Sequence, residues 1–197
     1  MDRSAGYERV AHEFIACRSN IGARTVRDWA HTLPRGAAVL DIACGHGVPI
    51  SATLLEEGLA VYAIDASPTL VEAFRARFPG VPVECCTLEA STFFGRSFDA
   101  AIAWGVMFLL TREAQKQLIA KVSSVLKPGG SFLFTAPAEE CEWQDNLTGL
   151  ASISLGATAY REIANDAGLR LLHEAEDEGR NHYYLLAKHA HGTDDES

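Results

Sequence analysis

The sequence is short of positive charge. Lys and Arg number 17 against 26 Asp and Glu, a formal balance of −9, which repels a phosphate backbone and argues against a nucleic-acid partner. It also lacks a long apolar run. The longest nearly apolar stretch, Ala100 to Leu110, falls well short of the roughly 18–20 residues that a membrane span needs, so no membrane partner is expected. The opening residues MDRSAGYERV carry no apolar core of the signal-peptide kind, and the expected location is the cytoplasm. The 5 cysteines are odd in number, irregularly spaced and without a C-x-x-C pair, which excludes a disulfide framework and a zinc knuckle and leaves reduced thiols. The only faint metal pair, His189 and His191, lies in the polar ending HAHGTDDES, so no metal is expected. Residues 189–197 read as a disordered tail. No repeat or long linker divides the chain, and 48% hydrophobic residues in 197 suit one folded domain over residues 1–188.

What is present is an alternation of short β-branched runs with helical stretches, the mark of an α/β protein with a mostly parallel sheet. Residues Tyr7 to His31 read as two leader helices within 1–33, ended by Pro34-Arg35-Gly36. Strands are expected at Ala38 to Ala43, Val61 to Asp65, Val81 to Cys85, Phe98 to Trp104 and Ser131 to Thr135. Between them lie helices from Pro49 to Glu57, from Ser67-Pro68 to about Phe78, and from about Arg112 to Val125. Ser67 is the expected cap of the second of these, with Pro68 in its first turn. Beyond Pro137 the pattern weakens: Glu139 to Leu155 reads as an irregular polar segment, followed by a helix over Thr158 to Ala167. Two strands, Leu169 to Ala175 and His182 to Lys188, then pair antiparallel through the turn Glu176 to Gly179. The count is seven strands.

The most informative segment is VLDIACGHGVP, residues 39–49. A buried strand runs into a loop with Gly45 and Gly47, and the loop opens a helix. Without a Cβ the backbone turns tightly there, and a ligand can lie against the main chain near free helix N–H groups. Asp65 ends the next strand, where a carboxylate can accept both hydroxyls of a ribose. The arrangement suits a nucleotide-like cofactor. A dinucleotide fingerprint needs a third small residue, and Ile50 stands in its place, which counts against a nicotinamide cofactor.

In VLDIACGHG, VYAIDASP, FDAAIAWG and LKPGGSFLFTAP, taken in this order and spacing, the sequence resembles the class I S-adenosylmethionine-dependent methyltransferases from about Tyr7 to Lys188. The resemblance implies a Rossmann-like seven-stranded sheet of order 3-2-1-4-5-7-6, strand 7 antiparallel, with helices on both faces. It also implies S-adenosylmethionine as cofactor, S-adenosylhomocysteine as product and no metal. Ala43, Gly45 and Gly47 would line the methionine moiety, Asp41 would help hold its amino group, and Asp65 with Ala66 beside it would bind the ribose. Where many members place an Asp near the adenine, this chain has Cys86 to Leu88, so a contact from Leu88 would come from the backbone. Tyr7 and Arg18 of the leader would close over the cofactor, with Arg18 a partner for the methionine carboxylate. The other reading of both is a solvent-exposed leader.

Methyl transfer asks chiefly for a nucleophile held in line with the sulfonium carbon in a dry site. The resemblance puts Trp104 nearest the transferred methyl, where its face would stabilise cationic charge; the alternative is a core aromatic under the loop. The N/D-P-P-Y/F signature is absent, since the stretch reads Ala103-Trp104-Gly105-Val106. Acceptor contacts are expected from Trp143, with Asp145 nearby, and from His182 and Tyr183. His182 is either a general base or a strand-end histidine bonded within the hairpin. Tyr183 and Tyr184 point to opposite faces, so at most one reaches the site. Three readings stay open: a small-molecule methyltransferase working by direct in-line transfer, a protein or peptide methyltransferase, and a non-catalytic S-adenosylmethionine-binding protein, each as a monomer or homodimer.

Overall fold

A computed structural model describes residues 4–190, so most of the expected tail, 191–197, lies outside the described residues. In chain order the elements are α1 (Ala11–Cys17), α2 (Ala23–Ala30), β1 (Ala38–Ile42), α3 (Ile50–Glu56), β2 (Ala60–Asp65), α4 (Pro68–Arg77), β3 (Val83–Cys85) and β4 (Phe98–Ala103). They continue as α5 (Arg112–Val125), β5 (Leu126–Thr135), β6 (Glu140–Gln144), β7 (Ala151–Leu155), α6 (Gly156–Asp166), β8 (Leu169–Glu176) and β9 (His182–Lys188).

Seven strands form one sheet in the order β3-β2-β1-β4-β5-β9-β8. The first five run parallel and β9 lies antiparallel to both β5 and β8. This is the expected 3-2-1-4-5-7-6 arrangement, with β9 as its seventh strand. The numbering shifts because Glu139 to Leu155 is not irregular: β6 and β7 form a separate antiparallel hairpin. In Glu140–Gln144 the exposed Glu140, Glu142 and Gln144 alternate with half-buried Cys141 and Trp143, the period of a strand with one wet face. β5 also begins earlier than expected, because Leu126 pairs with Phe98 before a register shift. Pro49 caps α3 rather than entering it, and Tyr7 sits in a turn ahead of α1.

All five residues of β1 are buried, as a strand covered on both faces requires. Leu40 and Ile42 pack toward Leu118, Val122 and Tyr160 of α5 and α6, while Val39 packs toward Val26, Leu54 and Phe74 of α2, α3 and α4. The β6–β7 hairpin is fastened to the first of these layers by a buried polar node. The Tyr160 hydroxyl donates to Gln115 Oε1 (2.6 Å) and accepts from the Leu155 amide, and Gln115 Nε2 donates to the carbonyls of Leu110 and Ile153. Among the described residues no helix is long and apolar enough to cross a membrane.

Two helices take their N-terminal caps from distant parts of the chain. α2 begins at Gly22, which has no side chain to offer, and Glu178 in the β8–β9 turn supplies the oxygens. It accepts from the amides of Gly22 (2.8 Å) and Arg24 (3.1 Å) and from the Thr25 hydroxyl (3.1 Å). At α4 the Ser67 hydroxyl accepts from the Leu70 amide, as expected, and Glu8 adds a second cap from the leader. Glu8 accepts from the Ser67 hydroxyl and from the amide and hydroxyl of Thr69. A carboxylate at a helix N-terminus also complements the helix dipole. Glu178→Ala therefore removes a cap worth about 1 kcal/mol, and a drop of about 3 °C in melting temperature at this chain length is expected in a thermal scan.

Candidate active site

The carboxyl ends of β1, β2 and β4 open into a cavity of about 820 Å³, roofed by the leader and flanked by the β6–β7 hairpin and the β8–β9 turn. At its floor β1 gives way to Ala43 with φ +57°, a left-handed conformation that is strained for a residue with a Cβ. Gly45 (φ +58°) follows, and a Cβ there would come within 3.0 Å of the Phe14 ring. Phe14 thus lies directly on the glycine loop.

Two buried acids face this loop from adjacent strands. Asp65 accepts from the Gly45 amide through Oδ2 (2.8 Å) and from the Ser67 amide through Oδ1 (2.8 Å). Burial raises its pKa, and these amides partly offset the rise. Asp41 is more deeply placed, with the Ser51 hydroxyl donating to its Oδ2 at 2.5 Å. Desolvation pushes its pKa up to about 7, with the Ser51 bond and the Arg18 charge opposing and the Asp65 charge adding. Arg18 donates from Nε to the Val48 carbonyl (3.3 Å) and stacks over Phe14 at 5.3 Å. Burial lowers its pKa, and the charge of Asp41 counters. The cavity therefore offers a carboxyl and a guanidinium within electrostatic reach of each other, a match for a zwitterionic amino-acid group, and a second acid one strand away.

The leader covers this floor. Tyr7 donates to Asp145 Oδ2 (3.2 Å), packs edge-on against Phe14 (5.4 Å) and has its pKa raised by burial. Asp145 uses its other oxygen to hold the hairpin turn, accepting from the amides of Leu147 and Thr148 and from the Thr148 hydroxyl. Arg9 reaches the Thr148 carbonyl (2.8 Å). Tyr7 and Arg18 are thus buried in part against the cavity, not displayed to solvent.

Of the sequence-predicted residues, the structure brings Tyr7, Arg18, Asp41, Ala43, Gly45, Asp65, Ala66, Leu88, Trp104, Trp143 and His182 to the one cavity. It does not bring Gly47 or Tyr183 there. Gly47 (φ +85°) faces α4, where a Cβ would meet Phe78 at 2.4 Å and Phe74 at 2.9 Å, so its smallness serves helix packing. Tyr183 lies behind Trp104, ring centroids 6.3 Å apart, and against His173. Trp104 lines the cavity and also packs as a core aromatic, its indole resting on Gly22, where a Cβ would come within 2.6 Å. Cys86, Thr87, Leu88 and Glu89 form the wall after β3, anchored by Lys121, whose Nζ donates to the carbonyls of Leu88 and Ser91. Phe14, Phe108 and Glu176 also line the cavity without having been singled out from sequence. Phe14 carries the helical spacing of the leader, but nothing in that spacing tells a ligand-facing ring from a core one. Among the described residues no group of three or more His, Cys, Asp or Glu is placed to hold a metal ion.

A seven-stranded sheet of this order with its cavity at the carboxyl ends of β1 and β2 is the Rossmann-like fold of the methyltransferases. Residues 39–130 match the family model described as a methyltransferase domain. Among curated proteins, a dimethylglycine N-methyltransferase of Parasynechococcus marenigrum (strain WH8102) is 29% identical over 69% of this chain and 50% of its own length. A tRNA (carboxymethyluridine(34)-5-O)-methyltransferase, ALKBH8, of Mus musculus is 29% identical over 71% of this chain and 20% of its own. The chain thus matches half or less of the length of these relatives. Among solved structures, the 1,6-didemethyltoxoflavin-N1-methyltransferase of Burkholderia thailandensis, with bound 1,6-didemethyltoxoflavin and S-adenosylhomocysteine, superposes with a TM-score of 0.74. It covers 93% of this chain and 85% of that one at 19% identity.

The separation of loop packing from ligand contact can be measured. Gly47→Ala meets both a left-handed backbone and two phenylalanine rings and is expected to cost about 3 kcal/mol. Gly36→Ala, at φ +75° with open space around it, is expected to cost only about 1 kcal/mol, both read by denaturant unfolding.

Proposed function

We propose that the protein is an S-adenosylmethionine-dependent methyltransferase that transfers the methyl group directly to a small-molecule acceptor. The observation that carries the reading is the convergence of Asp41, Arg18 and Asp65 in one cavity. The fit can be read group by group. Asp41 takes the ammonium of the methionine end, Arg18 its carboxylate, and Asp65 the ribose hydroxyls. The Cys86 to Leu88 wall supplies the backbone that flanks the adenine, and Ala66 closes the ribose side. When bound, the cofactor supplies an electrophilic methyl on a sulfonium, which needs a positioned nucleophile and exclusion of water more than it needs activation. The leader excludes water through Tyr7 and Phe14. Trp104 and Trp143 wall the acceptor side with aromatic faces suited to a planar or cationic small molecule. His182 stands at the same cavity to take a proton. The chain's acidic balance turns the reading away from an RNA acceptor such as that in the name of the Mus musculus relative.

The first test is thermal unfolding with S-adenosylhomocysteine. At 100 times its dissociation constant the ligand adds about 2.7 kcal/mol, and a clear rise in melting temperature is expected, with none from NAD at the same concentration. Asp65→Ala should weaken binding by an order of magnitude or more; unchanged affinity would move the ribose elsewhere.

The protonation of Asp41 gives an independent signature. Its folded pKa of about 7 lies above the ordinary carboxylate value of about 4, so the folded protein holds an extra proton between those limits. Two consequences follow with fixed sign. Stability falls as pH rises from about 4 to about 7, and Asp41→Asn flattens that slope. A ligand ammonium favours the ionised form, so binding expels the proton. Affinity for S-adenosylhomocysteine is then expected to rise with pH by up to tenfold per unit and to level off above about pH 7. Calorimetry in buffers of different ionisation enthalpy reads the released proton, and Asp41→Asn abolishes it.

A further inference from the structure

His182 begins β9 directly opposite Glu176 of β8, and its ring meets that of Tyr184 nearly edge-on, centroids 4.8 Å apart. Its Nε2 lies 3.8 Å from Oε2 of Glu174. Both atoms are buried, and neither has a hydrogen-bond partner among the described residues. The other oxygen of Glu174 is held by Arg161 of α6. A buried ring nitrogen and a buried carboxylate oxygen left facing each other without a bond are costly, and such groups call for an explanation. The separation exceeds hydrogen-bond reach, as catalytic contacts often do before a ligand fills the site.

We propose that Glu174 is the positioning residue of this cavity, holding the proton of His182 on Nε2 so that Nδ1 is the nitrogen presented to the methyl acceptor. The inference rests on the methyl-transfer reading. At the ring itself stand Glu174 and Tyr184, with Glu176 paired to His182 across the strands and Arg161 of α6 bound to Glu174; Arg180 and Glu139 line the same cavity. Of the carboxylates among the described residues, Glu174 is the one paired within 4.0 Å of a His182 ring nitrogen. It is not a catalytic residue, since it acts through the imidazole.

The pairing selects an acceptor class: a hydroxyl or an N–H nucleophile, which must shed a proton as it is methylated. In the transfer the acceptor's lone pair forms the bond to the methyl carbon, and the carbon–sulfur pair leaves on sulfur, which becomes a neutral thioether. The acceptor's proton passes to Nδ1, and the carboxylate of Glu174 stabilises the resulting imidazolium. A tertiary amine or a thioether has no proton to give and gains nothing from the arrangement.

The test is a ¹⁵N NMR spectrum of the neutral histidine rings of the whole protein, with His182 assigned by the signal lost in His182→Gln. Wild type is expected to show the Nε2–H tautomer. Glu174→Gln should shift the balance of the neutral His182 ring toward the Nδ1–H tautomer, Glu174→Asp should restore part of the Nε2–H form, and Glu176→Gln should shift it less. A cooperative thermal transition checks that each variant is folded. An Nδ1–H tautomer in wild type, a measurement that needs no variant to fold, or an unmoved tautomer balance in Glu174→Gln overturns the proposal. S-adenosylhomocysteine binding is measured on the same samples. Its absence would overturn the methyl-transfer reading and the acceptor class with it, while the tautomer still decides the pairing. With S-adenosylmethionine and a panel of phenols, primary amines, tertiary amines and thioethers, products are expected from the first two classes; a sulfonium or quaternary ammonium product overturns the class.

Discussion

The Asp65 carboxylate is the joint on which the site is built. It spans two segments far apart in the chain, taking the Gly45 amide with one oxygen and the Ser67 amide with the other. The first of these amides belongs to the loop that ends β1, and the second opens α4. A buried acid at that junction is tolerated because backbone donors meet it from both sides, and its burial raises its pKa only against their opposition. The Cys44 amide, donating to the Ile64 carbonyl (3.0 Å), adds a second tie from the same loop to β2, and the two together hold the strained φ at Ala43.

From this joint the architecture extends outward by carboxylates that act at a distance along the chain. Glu8 of the leader completes the start of α4 next to Ser67, and Glu178 of the β8–β9 turn completes the start of α2. Tyr7 and Arg9 then reach from the same leader to the hairpin turn organised by Asp145. The leader is thus bound at both sides of the cavity it covers. The polar node of Gln115 and Tyr160 fixes the hairpin to the sheet layer beneath. Each of these ties satisfies groups that would otherwise be left without partners, which is why they also set the position of the roof.

Much of this was legible from residue order. The strand positions from β1 to β4, the capping of α4 by Ser67 and the pairing of the last two strands follow from periodicity and turn chemistry. The α/β pattern with Asp65 after a glycine loop pointed to the cavity floor. The β6–β7 hairpin was hidden because its strands, ECEWQ and ASISL, are rich in Glu, Gln and Ser and poor in β-branched residues, while its stability comes from Tyr160 and Gln115 in other elements. The remote caps were hidden for a related reason: Glu8 and Glu178 carry no local signal of the helices they complete. Gly47 shows the limit in the other direction. Its place in the loop suggested ligand contact, whereas the rings of Phe74 and Phe78 require its smallness. Glycine content alone does not separate the two.

The placement of the indoles has an optical consequence. The sequence holds 3 tryptophans, and two of them, Trp104 and Trp143, line the cavity, while Trp29 is buried with its Nε1 donating to Ser131. Trp104 sits after β4 against Gly22 and Tyr183, and Trp143 on the hairpin beside Phe108. Emission from the two therefore samples different walls of one chamber, so each ring, read with the other replaced and against the constant background of buried Trp29, becomes a resident reporter of which part of the chamber is filled.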